Sequence, residues 1–346
     1  MYRNSGEPPL RQIFITASGG VDVLKIRETD DPRPKRGEVV IRVKAAGINF
    51  ADIMARKGIY PDAPKPPCVV GYEVSGIIEA MGEGVDANNL GKEVMALTRF
   101  GGYSEMVRVP VAQVFDKPTT LNFEQAAAIP VTYLTAYQLL VIMGSLHAGE
   151  SILIHNAGGA VGLAALDIAR KIGATTYGTS SASKHEFLKQ RGFDHLIDYR
   201  TQDWLQELQR LTEGRGVELI IDPFGGKHWK KSYKALRSTG RLGMFGISTA
   251  TESRVGALGL LKLITKMPWF NPVGLMNSNK AVFGANLGHM WHEAEKVSGW
   301  MRTILAGVHE GWVRPHVDKA FPLEQAAAAH QYIEERRSTG KVVLVP

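Results

Sequence analysis

Residues Ala157, Gly159 and Gly162 fall in an A-x-G-x-x-G spacing between a mostly apolar run, "SILIHNA", and a helical run, "LAALDIARKIG". Nearly bare backbone at a strand–helix junction is what a pyrophosphate needs. Ala157 permits a tight turn, Gly159 lets phosphate approach the main chain, and Gly162 lets helix and sheet pack closely. The helix amino terminus adds unpaired N–H donors and about half a unit of positive charge. Gly158, Ala160 and Val161 complete the turn, and all six residues are expected to hold a dinucleotide. Any α/β protein can use such a turn; the dinucleotide reading comes from its place at the head of a βαβ series.

NAD sites usually carry Asp or Glu about 20 residues after the turn, to hold the ribose 2′-hydroxyl. Here the end of the second strand reads "TTYGTSSASKHEF", with no carboxylate before Glu186. Ser180, Ser181, Ser183 and Lys184 offer hydroxyls and a cation instead, which suit a 2′-phosphate that a carboxylate would repel. NADPH is therefore the expected cofactor, with Ser180 and Lys184 as contacts.

Other chemistries find less support. His289 and His292 in "HMWHE" are expected one turn apart on a helix, but the H-E-x-x-H metalloprotease pattern is absent. The single cysteine, Cys68, excludes a disulfide framework and a four-thiolate zinc site, so no metal is expected. No G-x-S-x-G elbow occurs, which argues against a serine hydrolase. The net charge of +7 favours anionic partners such as phosphorylated cofactors. No lysine- or arginine-rich run with interleaved aromatics suggests nucleic-acid binding.

These residues must be positioned by two kinds of element. Up to about residue 122, short alternating or β-branched runs such as "GEVVIRVKAAGI", "SGIIEAMG" and "YSEMVRVP" predict an irregular, mostly antiparallel β domain. From Phe123 a helical stretch interrupted at Pro130 leads into alternating strand and helix signals, hence a parallel sheet with helices on both faces. A long helix is expected over roughly 290–308. The closing "DKAFPLEQAAAAHQYIEERRSTGKVVLVP" reads as strand, helix, strand, and returns the chain to the first domain. At 346 residues, two domains are the default. The polar start "MYRNSGEPPLRQ" and the single cysteine favour a cytoplasmic setting.

The chain resembles, along nearly its whole length, a zinc-independent member of the medium-chain dehydrogenase/reductase superfamily, in the quinone oxidoreductase group. The motifs are "AAGINFADIMARKGIYP", "VVGYEVSGIIEAMGEGV", "YLTAY", "HNAGGAVGLAALDIAR", "HLIDYR" and "GKVVLV". The stretch "NSNKAVFGANLGHMW" is similar to a vesicle-amine-transport-protein-like branch of that group. The resemblance implies an α/β Rossmann doubly wound parallel sheet over 127–289, plus a discontinuous, mostly β, chaperonin-10-like catalytic domain over 1–126 and 290–346. It places the active site in a cleft between them. It also adds Thr135, Tyr199, Phe283 and Gly284 as cofactor contacts, with Phe224, Phe245, Gly246 and Ile247 at the carboxyl ends of later strands. Zinc-dependent cousins carry a cysteine and a histidine where this chain has Asn49 and, in "GYE", Tyr72. Ala160 stands where many relatives have glycine.

Without zinc, the group that accepts charge during hydride transfer must be a conjugated oxygen held by hydrogen-bond donors. Asn49 carries an amide and Tyr60 a phenol that can serve. In relatives that reduce enoyl thioesters, a tyrosine in a similar G-x-Y-P context is the proposed proton donor. The expected substrate is a quinone or an α,β-unsaturated carbonyl compound, with an enoyl thioester as the alternative and a non-catalytic, membrane-associated protein as the further one. Asp52 reads as mainly structural. The segment 255–276, broken by Lys262, Lys266 and two prolines, is expected to cover a cleft or an interface in preference to a membrane surface. The resemblance also implies a homodimer, joined at the strand around "KAVFGANL".

Overall fold

A computed structural model describes residues 9–251 and 267–346. The chain divides into two compact units, one of residues up to Leu134 with Gly288–Glu310 and Pro315–Pro346, the other of Thr135–Leu287 with Gly311–Arg314.

The first unit begins with eight strands: β1 (Leu10–Ile15), β2 (Leu24–Thr29), β3 (Glu38–Ile48), β4 (Cys68–Val69), β5 (Glu73–Met81), β6 (Glu93–Leu97), β7 (Met106–Pro110) and β8 (Val114–Asp116). Three helices accompany them, α1 (Phe50–Arg56), α2 (Phe123–Ala127) and α3 (Pro130–Tyr137). Pro130 opens α3 rather than kinking one long helix. Its missing N–H is harmless in a first turn.

The second unit alternates β9 (Ser151–Ile154), α4 (Ala160–Ile172), β10 (Thr175–Ser180), α5 (His185–Arg191), β11 (His195–Asp198), α6 (Trp204–Leu211), β12 (Val217–Asp222), α7 (Lys227–Ala235) and β13 (Leu236–Met244). It continues through α8 (Pro272–Ser278) to β14 (Ala281–Gly284). The chain then supplies α9 (Ala294–His309), β15 (Val317–Pro322), α10 (Ala326–Glu334) and β16 (Lys341–Val345) to the first unit.

β3 dominates the first unit. Val39, Ile41 and Val43 enter one core with Val74, Ile78 and Leu344, while the alternate residue Val40 packs with Leu10 and Met106. That period of two is what a strand buried on both faces requires. Its sheet runs β15-β16-β3-β5-β6-β8, with β7 also on β3, and β2-β1-β4 form a separate three-stranded sheet. The pairs are antiparallel except β15 with β16.

The second sheet is parallel throughout, in the order β11-β10-β9-β12-β13-β14. The direction of winding reverses between β9 and β12, the place where open α/β sheets bind ligands beyond their carboxyl ends. Leu153, Ile220 and Leu242 from neighbouring strands pack with Trp204 and Leu208 of α6.

Three boundaries differ from the sequence reading. The units part at Leu134 and Thr135, inside α3, rather than at residue 126. Gly311–Arg314 groups with the second unit, because Arg314 donates to the buried Asp167 of α4 through both its backbone N–H (3.0 Å) and its guanidinium (2.8 Å). The helix expected from 290 begins at Ala294, so His289 and His292 do not share a helical face. His289 lies in a short 3-10 turn and bonds Asp62 at 2.7 Å.

Candidate functional site

The glycine-rich turn joins β9 to α4, with Gly159 as the cap and Ala160 the first helical residue. The left-handed backbone that turns the chain out of β9 falls on Asn156, at φ +54°, and not on Ala157. Asparagine tolerates this region better than most residues. Ala157 is fully buried. A side chain at Gly162 would meet the carbonyl oxygens of Asn156 (2.5 Å) and Ala157 (2.7 Å), so the helix must carry a bare backbone there. At Gly158 a Cβ would lie 2.9 Å from Cδ of Lys184. The stem of Lys184 therefore lies over the turn.

Lys184 closes a 3-10 turn that follows β10 and leads into α5. Ser180 and Ser181, at the end of β10, are buried, and the Ser181 and Ser183 hydroxyls are 3.0 Å apart. Tyr199 follows β11, its N–H donating to the Ser180 carbonyl at 3.3 Å. The carboxylate that ends β11, Asp198, is occupied by its own turn, accepting from the Arg200 N–H (3.1 Å) and the Thr201 hydroxyl (2.9 Å). Although burial opposes it, these bonds hold Asp198 below the usual carboxylate range.

On the other side of β9, Phe224 follows β12, Phe245, Gly246 and Ile247 follow β13, and Phe283 and Gly284 end β14. Thr135 lies on α3, the first residue of this unit. Apart from Thr135, every residue expected to touch the cofactor thus sits at the carboxyl end of a parallel strand, in the loop that follows one, or in the first turn of the next helix.

Beneath this rim lies a network the sequence reading did not identify. His155 follows β9 and is buried; its Nδ1 meets the Thr179 hydroxyl (2.9 Å) and its Nε2 the Ser232 hydroxyl (3.2 Å). Asp222, also buried, accepts from Ser232 (2.7 Å), from His228 Nδ1 (2.6 Å) and from the Phe224 N–H (2.8 Å). Burial, then the neighbouring His228, pushes His155 down to about 3, so it stays neutral. Burial works against the charge of Asp222, yet its bonds with His228 and Ser232 and the adjacent imidazoles keep it below the ordinary range.

His155, Asp222 and His228 bring ligand atoms within 4.8 Å of one another, the spacing of a metal site. Both nitrogens of His155 are already engaged, and the Asp222–His228 contact has hydrogen-bond length. The same bonds tie β9, β10, β12 and α7 together.

The catalytic candidates lie in the first unit. Asn49 caps α1, and its Nδ2 donates to Glu73 Oε1 at 2.9 Å. Lys341, at the start of β16, donates to Asn49 Oδ1 (2.7 Å) and forms an ion pair with Glu73. The Val131 N–H completes the shell on Glu73 Oε2 at 2.7 Å. Glu73 and Lys341 are 0% and 2% exposed. Gly47 makes room for the pair, since a Cβ there would collide with both side chains. Asn49 is therefore clamped at both ends of its amide, with one of its two amide hydrogens given to Glu73.

Asp52 accepts the N–H groups of Asn49 (2.7 Å) and Gly71 (2.9 Å), a positioning arrangement for the α1 cap and the loop before β5. Its burial raises its pKa to about 7 against the pull of those bonds and of Lys341. Tyr60 is half-buried against the first core, edge-on to Tyr72 with ring centres 6.1 Å apart. Tyr72 in turn packs on Phe100 at 5.3 Å.

Residues 35–119 match the family described as "Alcohol dehydrogenase GroES-like domain", and residues 191–344 that described as "Zinc-binding dehydrogenase". The chain is 39% identical over 350 residues to "Synaptic vesicle membrane protein VAT-1 homolog" of Rattus norvegicus, covering 98% of this chain and 85% of that protein. It is 30% identical over 345 residues to "Quinone oxidoreductase" of Homo sapiens, covering 99% of each. The chain is an oxidoreductase of the medium-chain dehydrogenase/reductase superfamily. Among solved structures, Escherichia coli quinone oxidoreductase complexed with NADPH matches this superfamily member with a TM-score of 0.83 at 28% identity, over 97% of this chain and 100% of that one. Its two units are the GroES-like and Rossmann domains of the superfamily.

Proposed function

We propose that the protein is an NADPH-dependent reductase that delivers hydride to a quinone or an α,β-unsaturated carbonyl compound without zinc. The observation that carries this reading is the cradle at the β9–α4 turn. Bare backbone at Gly158 and Gly162 faces a helix amino terminus, Lys184 lies over the turn, and serines in place of a carboxylate end β10. That donor set fits a pyrophosphate with a 2′-phosphate beside it. Ser180, Lys184 and Tyr199 would hold the phosphate; Phe224, Ile247, Phe283 and Gly284 would line the rest of the nucleotide. When bound, NADPH supplies the hydride, and the chain supplies orientation and electrostatics.

Independence from zinc rests on residue chemistry. Asn49 and Tyr72 occupy the places where zinc-dependent cousins carry thiolate and imidazole, and Asn49 is already committed to Glu73 and Lys341. Asn49 and Tyr60 are then the groups expected near a substrate oxygen. Reduction of an enoyl thioester is the second reading, favoured by the phenol of Tyr60 within its G-x-Y-P loop.

Two expectations concern surfaces. Residues 255–266 of the segment 255–276 lie outside the described residues; in the remainder, Trp269 is 90%, Val273 59% and Met276 68% exposed. Together with β14 at the edge of its sheet, these residues suit a homodimer contact in preference to a membrane surface. No helix among the described residues is long and apolar enough to cross a membrane.

The test is NADPH oxidation by the purified protein with naphthoquinone, cyclohexenone and crotonyl-coenzyme A, alongside elemental analysis. Turnover with the first two and far less than one zinc per chain is expected. Stoichiometric zinc removed together with activity would overturn the zinc-free mechanism.

A further inference from the structure

Among the described residues, the buried hydroxyl of Tyr72 has no partner at hydrogen-bond distance. Tyr72 is 7% exposed. Its backbone is fixed from both sides: the Gly71 N–H donates to Asp52 (2.9 Å), the Thr98 hydroxyl to the Gly71 carbonyl (2.7 Å), and the Thr98 N–H to the Tyr72 carbonyl (2.8 Å). Its ring is held edge-on by Tyr60 and tilted against Phe100. Position is thus heavily determined, while the oxygen has no partner at hydrogen-bond distance.

A buried hydroxyl without a partner is destabilising by about 1–3 kcal/mol, and phenylalanine would fill the same space without that penalty. Burial, followed by the neighbouring Asp52, Tyr60 and Asp62 and by a loose approach of the Tyr60 hydroxyl beyond hydrogen-bond distance, pushes the phenol far up, so it keeps its proton throughout the neutral range. It is a donor in waiting. An oxygen that carries no proton of its own is the matching acceptor, and two aromatic rings beside it suit a flat, conjugated molecule.

We propose that Tyr72 is a substrate-contact residue whose hydroxyl donates a hydrogen bond to the carbonyl oxygen of a flat conjugated quinone or enone. This rests on the reductase reading above and assigns the oxygen donor within it. When hydride adds to the substrate carbon, the C=O π electrons move onto the oxygen. The Tyr72 O–H stabilises the resulting charge without breaking, and water supplies the proton that completes the reduction, unless Tyr60 supplies it first. Loss of one preorganised donor of this kind typically lowers kcat on the order of 10²- to 10³-fold.

The experiment compares wild type with Tyr72→Phe and Tyr60→Phe. Binding of acetophenone is measured against ethylbenzene, which has the same ring and no carbonyl, with NADPH present. Tyr72→Phe is expected to weaken acetophenone at least fivefold and leave ethylbenzene within twofold. It should also lower kcat/KM for naphthoquinone and cyclohexenone more than tenfold, and leave NADPH affinity and the melting temperature unchanged or the latter raised. Equal effects on acetophenone and ethylbenzene would overturn the proposal whatever the kinetics show. A fall in melting temperature would also overturn it, since the hydroxyl would then have a structural partner. If wild type oxidises no NADPH with either carbonyl substrate, the reductase reading fails instead, and the ketone-binding comparison still judges Tyr72.

Discussion

Replacing Gly158 with alanine separates the two tasks of the glycine-rich turn. The added methyl would lie 2.9 Å from Lys184 Cδ, a point on a flexible side chain. The stem can swing away, so the turn should survive with its cation displaced. The same change at Gly162 places carbon 2.5 Å and 2.7 Å from two backbone oxygens, which cannot retreat without unmaking the turn. Rigid overpacking costs about 1–3 kcal/mol. For a domain of this size each kcal/mol shifts the melting temperature by about 2–4 °C. Gly162→Ala should therefore lower it by about 2–12 °C, and Gly158→Ala hardly at all. A charge-assisted hydrogen bond contributes about 1.5–3 kcal/mol. With partial recovery by the displaced ammonium, Gly158→Ala should weaken NADPH about tenfold (~1.4 kcal/mol) and NADH barely. Nicotinamide-fluorescence titrations of Gly158→Ala, Lys184→Ala and the double variant decide it. If the methyl acts through Lys184, the double variant binds NADPH no more weakly than Lys184→Ala alone. Equal weakening of both nucleotides, or additive losses, would refute the assignment of Lys184 to the 2′-phosphate.

Lys341→Met should destabilise the protein by about 3–5 kcal/mol in urea unfolding, because it strands Glu73 as an unpaired buried charge; the added Glu73→Gln should restore part of the loss, and a loss below about 1 kcal/mol would count against the pair. Asp52 has a folded pKa of about 7, above its ordinary value of about 3.9, so its contribution to stability is full below pH ~4 and is lost as pH rises through 7. Melting temperature followed from pH 4 to pH 8 should show that decline, and Asp52→Asn should flatten it. Tyr60→Phe should reduce kcat more than tenfold with enones if Tyr60 supplies the proton, but only a few-fold with quinones, whose reduced form takes protons from water.

What the sequence made legible is what is encoded locally. The β9–α4 turn shows itself within a dozen residues, because strand, glycine spacing and helix each have a short-range signature. The βαβ alternation and the discontinuous first unit follow from the same kind of pattern. Less visible were features whose partners lie far apart. His155 in "ILIHNA" and Asp222 in "LIIDPF" look like odd polar residues at the ends of apolar strands. Only the sheet order places β9 beside β12 and makes them one network. Their shared position at a strand's carboxyl end was the available signal. "HMWHE" misled for the opposite reason: its spacing fits a helix that in fact begins only after the motif, at Ala294.

The same distinction governs the catalytic candidates. Residue type alone favours Asn49 as the oxygen donor, since an amide at a helix cap is a familiar hydrogen-bonding group. Lys341 lies 268 residues from Glu73 in sequence, and "TGKVVLV" reads as a surface lysine before a strand. Their meeting behind Gly47 changes the role of Asn49: its carbonyl oxygen faces a buried ammonium, and one amide hydrogen goes to Glu73. That clamp orients Asn49 firmly but reduces what it can offer a substrate to a single N–H. Tyr72 has the complementary history, with its backbone and ring fixed and its O–H unengaged. A donor held rigid while its hydrogen bond remains unmade requires no reorganisation when charge appears on a nearby oxygen, which is the condition under which a single donor contributes most to rate. On this argument Tyr72, with its O–H lacking a partner at hydrogen-bond distance, is better suited than Asn49 to stabilise the developing charge.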